Sequence, residues 1–506
     1  MEIFNTMIEG LAAFFTWPLP LWFILGMLNG MIFGLLPGLS GSVGIALMIP
    51  LTFGLSTAEA MTLFVGAFGG QTFSGSITAI LLNTPGTAPN AASTLDGYPL
   101  ARQGKGGFAI GISATASALG SVIGLAVLVA LLPFVRAIIL SFSFPELTML
   151  AVLGLAAIAA ASSGSLAKGL ISGGIGLILS FVGFSPVAGE LRYVFGVPQL
   201  WEGIDLIAAL IGLFAISEVI RLLVVRETVS AVPLDTGFSR KEVWEGVRFV
   251  FRHPWLLLRS ALIGTGIGAV PGVGGTVASF LAYFQAVHTS KDPEKFGKGD
   301  PRGVLAPEAA NDAKDSGSAL PSLAFGLPGS SDWAIILGAL VLHGVNPGPN
   351  LIREEPVVVW VAIWVLFFAS FVDSLIGIYA TPLLVKVTRV PPSILAPIVG
   401  VLAVIGAYAL QRQFVDVIFA VLFGILGYYM RRHHIPVVPL ILGLLLGATT
   451  ERSFFQSLEI FNTGIWVYFT RPISLVLVVL TVVIFVAPFI STHRRQKALV
   501  ETGVDG

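Results

Sequence analysis

Apolar residues run through this chain in long unbroken tracts, not in the alternating pattern of a half-buried strand. The tracts lie near 19–36, 39–55, 58–82, 107–134, 137–161, 166–187 and 203–225. After a polar interval they resume near 256–287, 319–345, 356–385, 391–410, 414–430, 435–448 and 471–490. Between Leu11 and Leu95 the one charged residue is Glu59, and Phe108 to Phe134 contains none. A bilayer-spanning helix needs ~20 mainly apolar residues, so each tract predicts a span or part of one. An outer-membrane barrel would show ~10-residue alternating segments instead. The predicted fold is an all-α polytopic membrane protein with about 10–14 transmembrane or re-entrant helices. Met1-Glu-Ile-Phe-Asn lacks the basic start of a secretory signal, so the first stretch is expected to be mature. It reads as an interfacial helix up to Trp17-Pro18 followed by a span.

Two stretches are versions of one another. Gly30-x-x-x-Gly34-Leu-Leu-Pro37-Gly38-Leu-Ser40-Gly41 recurs as Gly264-x-x-x-Gly268-Ala-Val-Pro271-Gly272-Val-Gly274-Gly275, a constant offset of 234 positions. Each copy leads to a second shared signature. Ser74-Gly75-Ser76 precedes Thr84-Pro85-Gly86, and Ser316-Gly317-Ser318 precedes Leu327-Pro328-Gly329. The chain therefore reads as two duplicated halves, expected as inverted repeats; the parity of the span count decides between inversion and parallel duplication. Residues 1–226 form the first transmembrane half, 227–255 a cytoplasmic linker, 256–490 the second half and 491–506 a cytoplasmic tail. Lys and Arg cluster in the linker, at Arg431-Arg432 and in the tail, and the positive-inside bias sets that orientation.

Glycine and proline interrupt a helix and free backbone groups that lipid cannot satisfy. Duplicated broken helices are the sequence pointer to a transporter's binding site at the interface of two repeats. A helix restarting after Pro37-Gly38 or Pro271-Gly272 presents free N–H groups and a partial positive charge, suited to an anion. Ser40 and Ser42 lie where hydroxyls can join the first set, and Thr276 beside Gly274 is nearest in the second. The second signature adds Ser74, Ser76, Asn83, Thr84, Pro85, Gly86 and Thr87 from one half. Asn311, Asp312, Ser316, Ser318, Gly326, Pro328, Gly329 and Ser330 come from the other. Unwound carbonyls with amide and hydroxyl oxygens suit a sodium ion and the hydrogen-bonding of a carboxylate. Thr87 and Ser330 also read as ordinary helix caps. Gly30/Gly34 and Gly264/Gly268 read chiefly as packing faces, in the manner of small-x-x-x-small contacts. No Arg or Lys lies in the apolar part of either motif, so an anion there would rely on helix ends, hydroxyls and a co-bound cation.

Asp373, mid-way along the 356–385 tract, is a costly intramembrane carboxylate and a candidate coupling residue; a paired residue in a polar helix contact is the alternative. Asp332 and His343 follow the second Pro-Gly turn and read as cap or loop residues. Tyr193, Trp201 and Trp466 read as interface anchors. The chain carries 28 basic and 28 acidic residues, so nothing in its charge suggests nucleic acid as partner. It has no cysteine, which excludes disulfides and thiol chemistry. A P-loop, a His-Glu-x-x-His pair and a Gly-x-Ser-x-Gly elbow are all missing, and His433-His434 is a weak metal signal. An enzyme is not expected, and neither is a cofactor or bound metal beyond a transient sodium ion.

Leu36-Pro-Gly-Leu-Ser-Gly41, the Gly70-Gln-Thr stretch, Leu82-Asn-Thr-Pro-Gly86 and Asp96-Gly-Tyr-Pro resemble the large membrane subunit of the bacterial tripartite tricarboxylate transporters. Pro307-Glu-Ala-Ala-Asn-Asp312, Gly326-Leu-Pro-Gly-Ser330 and His343-Gly-Val-Asn-Pro-Gly-Pro349 extend the resemblance into the second half. It covers nearly the whole chain; the one departure inside the duplicated motif is Gly274, where the first copy has Ser40. The resemblance implies a multi-pass secondary transporter of the bacterial inner membrane, working in the lipid bilayer with a small membrane subunit and a periplasmic substrate-binding protein. It also implies uptake of a carboxylate such as citrate, driven by a sodium ion or proton gradient, with an elevator-like motion by analogy to other paired-hairpin carriers. A passive carboxylate channel lined by the same half-helices is the competing expectation.

Overall fold

The computed structural model describes residues 2–36, 39–139, 141–161, 165–224, 239–387, 390–409, 411–461 and 463–485. Pro37, Gly38, most of the linker's first half and the tail 491–506 lie outside the described residues. Among the described residues the regular structure is helical apart from a two-stranded hairpin, Gly183–Phe184 with Leu191–Arg192. Among the described residues, six helices are long and apolar enough to cross a membrane, or up to eight if each of two bent pairs counts as one span. Five shorter apolar helices accompany them, and two of these, Gly41–Thr52 and Ser331–Leu342, are well short of a full span. The first bent pair, Ile3–Phe14 with Leu19–Leu35, turns by 77° around Trp17-Pro18, where proline removes a helix donor.

The chain forms two compact units. One comprises Met1–Ala137 with Ile207–Tyr428, the other Ile138–Leu206 with Tyr429–Gly506. In the smaller unit the Val438–Phe461 helix packs on Phe144–Ala161 and Leu166–Ser180. Arg192 forks onto Glu451 there (2.8 and 2.9 Å), and Arg471 donates to Glu146 at 2.6 Å. Tyr193, Trp201 and Trp466 are all exposed.

The larger unit is built around two buried central helices, Thr57–Leu82 and Arg302–Phe325. The lone charge of the first apolar region, Glu59, starts the first of them through a capping box. Ser56 Oγ accepts from Glu59 N–H, and Glu59 Oε2 accepts from Ser56 N–H at 2.7 Å. Each central helix ends on a left-handed cap, Asn83 (φ 55°) and Gly326 (φ 69°).

Glycines bring neighbouring helices onto these two at backbone contact. On Leu19–Leu35, a Cβ at Gly30 would overlap the Ala67 carbonyl oxygen, and one at Gly34 would overlap Ser74 Oγ. On Pro254–Gly268, Gly264 and Gly268 stand in the same way against the carbonyl oxygens of Ala310 and Lys314. Gly120 and Gly124 of Gly106–Ile139 lie on Ala309 and Ala313. Lipid gives helices no hydrophobic reason to associate, so this close approach supplies the attraction. The linker also contributes a helix, Arg240–Phe251, which seats Val243, Gly246 and Val250 against the Phe108–Gly111 segment.

The contrast between two glycines on one helix tests the packing. A methyl at Gly266 meets nothing within 4 Å. Gly266→Ala should therefore leave melting unchanged or raise it, by the ~0.5–1 kcal/mol of helix preference. Gly264→Ala should lower stability by about 1–3 kcal/mol through overpacking. Thermal melting of the two purified variants in one detergent makes the comparison, and equal melting temperatures would contradict it.

Candidate functional site

The two halves exchange their short helices inside the larger unit. Ser331–Leu342, from the second half, packs against Gly41–Met48 and Thr57–Leu82 of the first. The first half's turn at Ala88–Asn90 packs in return against Gly275–Thr289. The central helices match at an offset of 243, since Ala67 and Ala310, then Gln71 and Lys314, underlie equivalent glycines. Gly86 lies over Gly75, and Gly329 over Ser318, at that same offset. The Ser-Gly-Ser signatures, 242 apart, are thus one residue out of structural register.

Polar side chains join the halves along this seam. Ser42 donates to Asp332 Oδ1 at 2.6 Å, and Thr72 donates to Asp315 Oδ2 at 2.7 Å. Asp315 is also ion-paired with Lys314, whose ammonium stands 5.8 Å above the Phe68 ring. Glu308, fully buried, accepts from Ser93, Ser113 (2.7 Å) and Ser117 (3.2 Å). Asp96 accepts from Tyr283 Oη (2.9 Å) and from the N–H groups of Gly299 and Asp300, both at 2.8 Å. Asp300 in turn holds the Arg302 fork; burial alone would raise its carboxyl, but Arg302 keeps it below the ordinary carboxylate value.

Several buried groups close no hydrogen bond among the described residues. Among them are both amide atoms of Asn311, Asp312 Oδ2 and both carboxylate oxygens of Asp373. Asp373 faces the first central helix between two close contacts, Ala369 on Gly69 and Gly377 on Phe73. Asp312 is within its electrostatic reach.

The predicted residues divide by position. Ser40 and Gly274 are the N-cap residues of Gly41–Met48 and Gly275–Thr289, and neither side has a capping hydrogen bond. Gly274 has φ 80°, which accounts for glycine where the first copy has serine at φ −84°. Gly272 also has positive φ, and Pro271 and Thr276 are half-buried beside it. Ser74 donates to the Gly70 carbonyl, and Ser76 accepts from Asn90, which also donates to the Thr72 carbonyl. Asn90 Oδ1 accepts from Thr87 N–H. Gly86 N–H donates to Gly75 O, Thr84 N–H to Thr78 O, and Pro85 lies between them. Ser316 is buried near the Ser121 carbonyl, and Ser318 donates to Asp315 O. Gly329 N–H donates to Ser322 Oγ after the Gly326–Pro328 turn. Ser330 caps Ser331–Leu342 by accepting from Trp333 N–H at 3.3 Å. Asn83 is exposed. Pro37 and Gly38 lie outside the described residues.

A family model described as "Tripartite tricarboxylate transporter TctA family" matches residues 21–442. The chain belongs to the TctA family. It is 32% identical over 484 residues, 95% of each chain, to an uncharacterized 52.8 kDa protein in the TAR-I ttuC' 3' region of Agrobacterium vitis. An uncharacterized protein in the TAR-II ttuC' 3' region of the same organism is 32% identical over 234 residues, 46% of this chain and 97% of the relative. No solved structure matches the chain. Family membership makes the chain a membrane component of a tripartite tricarboxylate transporter, a system with partner subunits and a substrate.

Motif reading of this TctA-family chain passes over Lys314 and Asp315, names Gln71 and Glu308 only as members of their motifs, and reads Asp332 as a cap or loop residue. Asp332 does stand in the first turn of its helix, but its carboxylate also receives Ser42 from the other half. The available signal was the repeat offset, which sets Lys314 opposite Gln71.

The Asp-Gly-Tyr-Pro motif has a testable structural role. An Asp96→Asn variant keeps one acceptor oxygen for three donors, each bond to a charged acceptor being worth about 1.5–3 kcal/mol. It should melt clearly below the wild type in detergent. An unchanged melt would remove Asp96 as the clasp on Tyr283 and the Gly299–Asp300 turn.

Proposed function

We propose that this chain is the ion-coupled carrier through which a tripartite system takes up a carboxylate, tricarboxylate or citrate-like, across the bacterial inner membrane. The observation that carries the reading is the reciprocal exchange of half-helices around a buried polar seam. Helix starts at Gly41 and Gly275 offer N–H groups to an anion, with Ser42 and Thr276 beside them. Asn311, Asp373 and the free oxygen of Asp312 are the candidate holders of the coupling cation, a sodium ion or a proton.

A site that releases its cargo in every cycle cannot also be a tight scavenger. Capture therefore falls to a periplasmic binding protein, with a small membrane subunit beside the carrier. The linker and tail face the cytoplasm, and the exchanged half-helices move as a rigid body in an elevator-like cycle. A passive channel lined by the same half-helices is the competing reading.

Counterflow separates the two. Proteoliposomes holding this chain, the small subunit and the binding protein, loaded with unlabelled citrate, should transiently accumulate labelled citrate above equilibrium. Flux that never exceeds equilibrium and does not saturate would establish a channel. Asp373→Asn addresses coupling in the same vesicles. Uptake driven by an imposed sodium or pH gradient should lose that drive while downhill exchange persists. Unchanged response to both gradients would return Asp373 to a structural role.

A further inference from the structure

Lys314 is a charge that the repeat architecture does not require. Among the described residues it is the one lysine or arginine that is buried. Its partner, Asp315, is buried with it, and a paired charge in such a place is weak evidence for stability, because desolvation offsets the Coulombic gain. Packing alone would favour an apolar pair.

Its surroundings point elsewhere. The stem of Lys314 crosses the start of the Gly275–Thr289 helix, where a Cβ at Gly275 would overlap Lys314 Cε. The equivalent residue of the first half, Gln71, crosses Gly41 in the same way. Each half thus sends one long polar side chain over the helix start suited to an anion, and one of the two is a cation. Asp312, Asp315 and Asp332 all lie within electrostatic reach of Lys314. One ammonium serves three carboxylates. A fourth carboxylate could not settle there without another cation.

We infer that Lys314 binds the carboxylate of the transported substrate, leaving Asp315 to do so, and that Asp315, still held by the Thr72 hydroxyl, then takes the coupling cation. This rests on the carrier reading above and gives it a substrate-binding residue. Entry of the anion strips Asp315 of its counter-charge, so the anion binds only together with the cation, because alone it would leave Asp315 buried and unpaired.

The absence of cysteine permits a direct test. In the assembled three-component vesicles, Lys314→Cys should cut labelled-citrate counterflow about tenfold or more, the scale of one lost charge-assisted bond. Aminoethylation of the new thiol, which rebuilds a lysine-like cation, should restore it, whereas a sulfonatoethyl adduct should not. Citrate should slow the modification. Full counterflow by Lys314→Cys, or failure of aminoethylation to restore a variant whose elution and melting match wild type, would overturn the assignment.

If Lys314→Cys does not fold, Asp315→Asn decides. Freed from competition, Lys314 should bind citrate at a several-fold lower half-saturating concentration, with weaker dependence on the ion gradient. A purely structural ion pair predicts poorer binding instead, and that result would overturn the proposal. Wild-type vesicles without counterflow would sink the carrier reading itself; wild-type counterflow with an indifferent Lys314 variant would sink this inference alone.

Discussion

Backbone contact between helices, made possible by glycine, is the constraint on which the larger unit depends. Gly30 and Gly34 set one helix on the carbonyl side of Thr57–Leu82, and Gly264 and Gly268 do the same for Arg302–Phe325. Gly120 and Gly124 close a further side of the second central helix. Encased in this way, a helix can carry Glu308, Asp312, Lys314 and Asp315 in a chain that is 55% hydrophobic. The same residues facing lipid would be prohibitive.

Encasement creates an obligation to satisfy what is buried. The structure meets it mostly across the seam between halves: serines on Glu308, Thr72 on Asp315, Ser42 on Asp332. Each of these bonds ties residues far apart in sequence, so the polar groups also fix how the halves register. Where the obligation is not met, at Asn311, Asp312 and Asp373, the cost is large and local. Unfilled polar capacity of this kind is what the proposed ion site requires.

Much of this was legible in the sequence for identifiable reasons. Helical spans and half-helices follow from unbroken apolar tracts cut by Pro-Gly turns, and the break at Trp17-Pro18 follows from proline. The packing role of Gly30, Gly34, Gly264 and Gly268 follows from their four-residue spacing. What stayed hidden depended on partners from the other half. Lys314 looks like a surface lysine in a polar stretch, because nothing local says that Gly275 and Phe68 enclose it. Glu308 hides for the same reason, since its hydroxyls come from Ser93, Ser113 and Ser117. Two compact units, each assembled from two segments far apart in the chain, are likewise a matter of tertiary pairing that no local pattern encodes.

The central claim is that the carboxylate path runs along the seam where the halves exchange their short helices. The most direct measurement is an experimental density map of the chain in a lipid nanodisc with a transported carboxylate bound. The account requires ligand density within hydrogen-bonding distance of Lys314 Nζ, between the starts of the Gly41–Met48 and Gly275–Thr289 helices. Ligand density confined to the smaller unit, or seated in the larger unit away from both helix starts, would contradict it.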